Sequence, residues 1–227
     1  MKITSYSFLS MILILFYSGC RYDSIDKIKP IPENTFPNKV GNTWIYQVDD
    51  TTFLGGYGSD TVMKHTRYTV SVAIIDSVIY HGRKGNIWAY NSPVWRDTNY
   101  VFQNMDTLHF YDITYSQFPE MERQYILPLV LRKSWDYFSG WDKAFDPDSY
   151  DTVMVTDVQN NFSLGQNNYC KTFHISGNLY IQPDIKFSID EWICVGVGLT
   201  KRRFASNYAK LDFQKHITWS LVSYNVQ

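Results

Sequence analysis

Residues Phe36 to Asp50 read FPNKVGNTWIYQVDD, and the fold is decided by the last nine of them. In NTWIYQVDD, Trp44, Tyr46 and Val48 fall on one side of an extended chain, and Thr43, Gln47 and Asp49 fall on the other. Successive side chains of a strand point to opposite faces, so this alternation predicts a half-buried strand. Pro37 fixes the backbone just ahead of it. RYTVSVAIID, from Arg67 to Asp76, repeats the pattern, with Tyr68, Val70, Val72 and Ile74 set against Arg67, Thr69, Ser71 and Ala73. HGRKG (81–85) and QNMD (103–106) are turn-forming stretches between apolar runs. Later strand candidates are TVMVTDV, YCKTFHIS, NLYIQ, KFSIDEWICVGVGL and ITWSLVSYNV. Only Pro119 to Gln124 and Asp136 to Ala144 offer a helical turn, and no segment sustains a 3.6-residue period. The expected fold is all-β and antiparallel, with roughly ten strands in a curved barrel-like or sandwich arrangement.

A second regularity lies in the spacing. Pro37, Trp44 and Tyr46 recur as Pro128, Trp135 and Tyr137, each 91 residues later, with Val40 and Leu131 in register between them. A Trp two residues from a Tyr puts both rings on one face of a sheet. Two related β halves would produce this spacing, and so would shared strand-initiation chemistry without common descent.

The N-terminus carries an address. Lys2 supplies a positive charge, Phe8 to Tyr17 (FLSMILILFY) is an apolar run too short to span a bilayer as a helix, and Ser18-Gly19 precede Cys20. This arrangement resembles the lipobox of bacterial lipoproteins, whose cysteine becomes the acylated first residue of the mature chain; Tyr17 departs from it, where Leu is usual. The resemblance implies a signal peptide over residues 1–19, a lipidated Cys20 with a polar tether containing Pro30 and Pro32 over residues 20–35, and a single β domain over residues 36–227. It also implies a membrane partner through the acyl chains. Arg21 follows the cysteine where an acidic residue would mark inner-membrane retention, which favours the outer membrane and leaves its two faces open.

Charge excludes one class of partner. Removing residues 1–19 takes away Lys2 alone and leaves 20 basic against 22 acidic side chains, so no nucleic acid is expected. The compact basic run Lys201-Arg202-Arg203 reads as a solvated strand end. The open partner classes are a glycan, a lipid or an envelope protein. With sulfur of Cys20 acylated, Cys170 and Cys194 form an even pair for which a disulfide is permitted, with two separately packed thiols as the alternative.

Catalytic and metal motifs are missing. His65, His81, His109, His174 and His216 never pair at metal-ligand spacing, and neither HExxH nor GxSxG occurs. His65 and His174 stand among polar alternates and are expected at the surface. Asp190 and Glu191 are adjacent, so on a strand they point to opposite faces and cannot act together. DKAFDPDSYD supplies Asp142, Asp146, Asp148 and Asp151, hard oxygen donors for calcium if the loop curls. It lacks the glycine and terminal glutamate of an EF-hand, and a solvated acidic loop is the stronger reading. No cofactor is expected. Aromatic residues make up 17% of the chain, as sheet cores favour or as sugar and groove platforms require.

FPNKVGNTWIY, ILPLVLRKSW, EWICVGVGLTKR and LVSYNV together resemble small lipoproteins of Bacteroidota that share a Phe-Pro-x-x-x-Gly-Asn-x-Trp-x-Tyr opening and a Val-Gly-Leu segment before the last strands. The resemblance implies a secreted, lipid-anchored β domain and brings no catalytic residues with it. Gly196 and Gly198 are expected to mark a bulge or close backbone crossing. The functional expectation is a non-catalytic envelope protein that binds a ligand or partner. A structural assembly subunit comes second, and a hydrolase with dispersed residues third.

Overall fold

The computed structural model describes residues 36–54, 61–80, 82–104, 106–112, 122–139, 151–182, 185–208 and 213–227, all within one compact unit, Pro32–Gln227. Its strands are β1 (Thr43–Leu54), β2 (Thr61–Tyr80), β3 (Arg83–Asn91), β4 (Arg96–Asn104), β5 (Thr107–Asp112), β6 (Glu122–Ile126), β7 (Ser134–Asp136), β8 (Phe138–Ser139), β9 (Thr152–Gln159), β10 (Phe162–Leu164), β11 (Asn167–Tyr169), β12 (Thr172–Gln182), β13 (Ile185–Cys194), β14 (Gly198–Tyr208) and β15 (Phe213–Asn225). The described residues contain no helix.

Thirteen strands form one sheet in the order β7-β9-β12-β13-β14-β15-β1-β2-β3-β4-β5-β6-β8, and β10 pairs with β11 in a separate hairpin. Its pairings are all antiparallel. The two ends of this order, β7 and β8, are separated in sequence by Tyr137 alone. That residue joins them: Gln124 N donates to Tyr137 O (2.9 Å), and Tyr137 N donates to Asp151 O (2.7 Å). The sheet therefore curls back on itself as a barrel of twelve strands, counting β7 and β8 as one. Closure removes the long free edges that an open sheet exposes.

The alternation read from the sequence sets the inner face. Trp44, Tyr46 and Val48 on β1, Val70, Val72 and Ile74 on β2, and Val153 and Val155 on β9 are buried. Phe36, at the start of the described residues, packs at the same face, 6.1 Å from Trp88, 6.3 Å from Phe110 and 6.3 Å from Tyr125 between ring centroids. Gly198 lies against Phe36 and Pro37; a Cβ there would meet Pro37 Cγ at 3.3 Å, and its φ of +92° is left-handed. The close crossing expected at this glycine is present, at the tight turn between β13 and β14.

The 91-residue spacing has a counterpart in hydrogen bonds. Ahead of β1, Gly41 N donates to Ile74 O, Ile74 N to Asn42 O, Asn42 N to Lys39 O, and Asn42 Nδ2 to Pro37 O. Ahead of β7, Arg132 N donates to Val155 O, Val155 N to Lys133 O, Lys133 N to Val130 O, and Lys133 Nζ to Pro128 O. Gly41 and Arg132 both have positive φ, +95° and +67°. Each lead-in opens a run of six barrel strands, β1 to β6 in one half and β7-β8, β9 and β12 to β15 in the other.

The expected antiparallel all-β arrangement of roughly ten strands is present as a barrel of twelve, with the short β10-β11 hairpin in addition among the described residues. One sequence expectation needs correction. The candidate helical turns are strands where they are described: Glu122–Ile126 is β6, and Asp136 and Phe138–Ser139 belong to β7 and β8. Leu108↔Tyr125 and Phe110↔Arg123 pair across the ladder, and that pairing outweighs weak local helical preference. Residues 119–121 and 140–144 lie outside the described residues.

Candidate functional site

On β13 the period of two sends Ile189, Glu191 and Ile193 inward, while Asp190 and Trp192 face out. On β14 the same period turns Arg202 and Phe204 into the barrel, whereas Lys201 and Arg203 sit over the outer Trp192 ring at 4.9 and 5.6 Å. The basic run is thus not a wholly solvated strand end. Its middle residue is drawn inside, because Glu191 lies beside it in the ladder.

Glu191 is fully buried. Its carboxylate accepts hydrogen bonds from Tyr125 Oη (2.8 Å), Tyr137 Oη (3.1 Å) and Arg202 Nε (2.6 Å), and Arg202 Nη2 completes the ion pair. Burial alone would raise the carboxyl's pKa, yet the Arg202 and then the Arg123 guanidinium, with hydrogen bonds from Tyr125 and Arg202, bring it below its ordinary value. Glu191 is therefore an anion in the fold. Burial raises the phenols of Tyr46, Tyr90, Tyr125 and Tyr137, Tyr125 to about 12, so each remains a neutral hydroxyl. Tyr46 Oη donates to Leu199 O at 2.8 Å, outside the Glu191 cluster.

Arg123, on β6, enters the same lumen. Its guanidinium stands 4.4 Å from the Phe110 ring centroid and 5.8 Å from that of Tyr125, and its Nε is buried without a hydrogen-bond partner. Beside it opens a cavity of about 280 Å³, lined by Asn99, Arg123, Tyr137 and Arg202 and by apolar side chains including Phe204, Ile217 and Trp219. A smaller void of about 30 Å³ continues past Arg123 and Arg202 toward Trp44 and Trp88. The arrangement combines a greasy wall, flat aromatic surfaces and fixed cationic donors, which suits reversible binding of a small molecule.

The other candidate residues that are described do not line this cavity. Asp151 is buried; its Oδ2 accepts from Phe138 N at 2.9 Å, so this carboxylate fastens the barrel seam rather than lying in a solvated loop. Asp142, Asp146, Asp148, His81 and Cys20 lie outside the described residues. Among the described residues no three His, Cys, Asp or Glu side chains gather as a metal site. Cys170 is exposed and Cys194 buried, both as free thiols, and Cys170 lies close enough to Cys194 to act on its thiol. Cys194 turns into the core, and burial pushes its thiol pKa up.

His65 is exposed, 3.3 Å from Asp49, which also accepts from Arg67 Nε at 2.7 Å. His216 packs edge-on to Phe53 at 4.9 Å, and His109 is half-buried on β5. His174 is also half-buried, contrary to the expectation of a free surface side chain, because its ring stacks on Trp192 at 4.4 Å. Its Nε2 lies 2.8 Å from Asp190 Oδ1 and its Nδ1 lies 3.0 Å from Thr156 Oγ1. That order of groups imitates a nucleophile, base and acid. It stands on the outer face of paired strands, with Thr156 at the irregularity of β9 opposite His174 and Ile175, away from the cavity.

The lumenal residues were missed in the sequence, although a signal existed. Glu191 stands in phase with Ile189, Arg202 with Phe204, and Arg123 with Tyr125, so each charge occupies an apolar phase.

No family model matches the chain, and no curated protein matches it. Nine solved chains do. One, from Parabacteroides distasonis and provisionally named a lipoprotein, is 13% identical, covers 84% of this chain and 97% of its own, and superposes with a TM-score of 0.34. Another, from Bacteroides fragilis and provisionally named an exported protein with a YmcC-like fold, is 11% identical, covers 83% of this chain and 98% of its own, and also gives 0.34. At that score neither superposition bears on the site, which stands on its own residues.

Proposed function

We propose that this chain is a lipid-anchored protein of the outer membrane that binds a small molecule inside its barrel without transforming it. The observation that carries the binding reading is the open cavity beside Arg123, Tyr137, Arg202 and Trp219. A barrel serving only as an assembly block gains nothing from leaving such a space unfilled, since interiors otherwise pack to crystal-like density. The anchor rests on Cys20 after Ser18-Gly19, and the choice of membrane on Arg21.

Two measurements test the two parts. Cys20→Ala is expected to abolish acyl incorporation and release the protein from membranes; unchanged labelling and retention would remove the anchor. For the lumen, the unlipidated full chain (Cys20→Ala) is screened by thermal shift against glycans, fatty acids, phospholipid fragments and calcium. Saturation at a hundredfold excess over Kd stabilises a protein by about 2.7 kcal/mol, which for a chain of this size raises Tm by about 5–10 °C. Ile217→Trp, which fills the cavity from its apolar wall, is expected to abolish the shift given by the hit and to leave the unliganded Tm within a few degrees. An undiminished shift in that variant would place binding outside the lumen.

A further inference from the structure

We propose that Arg123 is the head-group ligand for a small monoanionic amphiphile, an acyl carboxylate whose tail lies along the apolar wall of the lumen. The inference rests on the lumenal-binding reading and names what the lumen takes. Its basis is the unequal treatment of two half-buried arginines on one cavity. Arg202 is saturated by Glu191, through two of its nitrogens, with Tyr125 Oη a further 3.5 Å from Nη2. Arg123 faces the same space with no carboxylate paired to it among the described residues, and its buried Nε donates to nothing. Burial disfavours the charge on Arg123, yet Tyr125, Tyr137 and Glu191 favour it, so the group stands as a cation whose Nε has no hydrogen-bond acceptor and can take one from a ligand. Phe110, stacked at 4.4 Å, holds the group without neutralising it. Asn99, on the same cavity, also has its side-chain oxygen buried without a partner.

Charge and size narrow the ligand. Among the described residues the one carboxylate in ion-pair contact with either arginine is that of Glu191, on Arg202, which leaves Arg123 a place for one carboxylate, whereas a phosphate monoester carries close to two charges. Arginine's planar fork also matches a carboxylate in a bidentate geometry. Leu179, Ile189, Phe204 and Ile217 give the tail an apolar bed. The cavity of about 280 Å³ has room for a medium-chain acid, for which an eight-carbon acid serves as the probe.

The test titrates the unlipidated full chain with octanoate, 1-octanol and octyl phosphate, following the fluorescence of Trp219 and its neighbours together with binding heat. Octanoate is expected to bind at least tenfold more tightly than 1-octanol. Arg123→Gln is expected to reduce octanoate to the level of 1-octanol and to leave 1-octanol unchanged, while Arg123→Lys, which keeps the charge and loses the fork, falls between. Equal binding of acid and alcohol, indifferent to Arg123→Gln, would overturn the head-group role while leaving an apolar lumenal site in place. Tighter binding of octyl phosphate would overturn the monoanion. Failure of all three ligands would overturn the proposal outright, and the lumenal reading would then stand or fall separately on the Ile217→Trp comparison.

Discussion

Glu191→Gln is expected to destabilise the fold by about 3–5 kcal/mol, the usual cost of removing one partner from a buried ion pair. The glutamine keeps the shape, but Tyr125 and Tyr137 donate to different oxygens of the carboxylate and its single amide oxygen can accept from one of them, so the loss combines the charge with one hydrogen bond. Arg202 would remain inside with no carboxylate paired to it among the described residues. Urea unfolding of the variant beside wild type gives the number, and a change under about 1 kcal/mol would show that solvent already screens the pair. The pH dependence has a definite sign. A carboxyl whose folded pKa is depressed contributes stability that is complete above its ordinary value of 4.5 and is lost as pH falls through the lower folded value. Wild type should therefore lose stability steeply below about pH 4.5, and Glu191→Gln should show a shallower fall over the same range.

Trp44→Ala is expected to cost about 3–5 kcal/mol, or to prevent folding, as removal of a fully buried large aromatic does. Trp44 is 1% exposed and lies 4.9 Å from Trp88 with the rings nearly parallel at 13°. Its Nε1 donates to Val197 O at 2.7 Å, tying β1 to the turn between β13 and β14. Alanine would open a cavity between these elements and strand that carbonyl. Trp44→Phe separates the two contributions, since it keeps a ring against Trp88 and loses the hydrogen bond, and about 1–2 kcal/mol is expected for it. Equal losses in the two variants would assign the effect to the hydrogen bond rather than to ring packing.

What the sequence reveals and conceals follows from the range of the forces involved. Alternation along NTWIYQVDD and RYTVSVAIID is local, so the strands are legible, and so is the repeated lead-in at Pro37 and Pro128. The seam is not legible. Tyr137 is held by backbone atoms of Gln124 and Asp151, and nothing in a single strand announces which distant strand will close the sheet. The site is concealed for another reason. In a small β domain charge marks the solvent face, but a barrel of many strands encloses more space than side chains fill and can take charge inside. Arg202 within Lys201-Arg202-Arg203 looks solvated by composition, and only its phase with Phe204 betrays it. Asp151 misleads in the same way, being one of a loop's four aspartates by sequence and a strand fastener by position.

The central claim is that Arg123 serves a ligand and not the fold. Thermal unfolding of Arg123→Met without ligand, beside wild type and Glu191→Gln, tests it most directly. Met keeps most of the arginine's stem volume and removes a half-buried cation that has no ion-pair contact among the described residues, so the variant is predicted to unfold at or above the wild-type temperature, opposite in sign to Glu191→Gln. A Tm for Arg123→Met several degrees below wild type would contradict the account, because Arg123 would then be a structural member of the barrel.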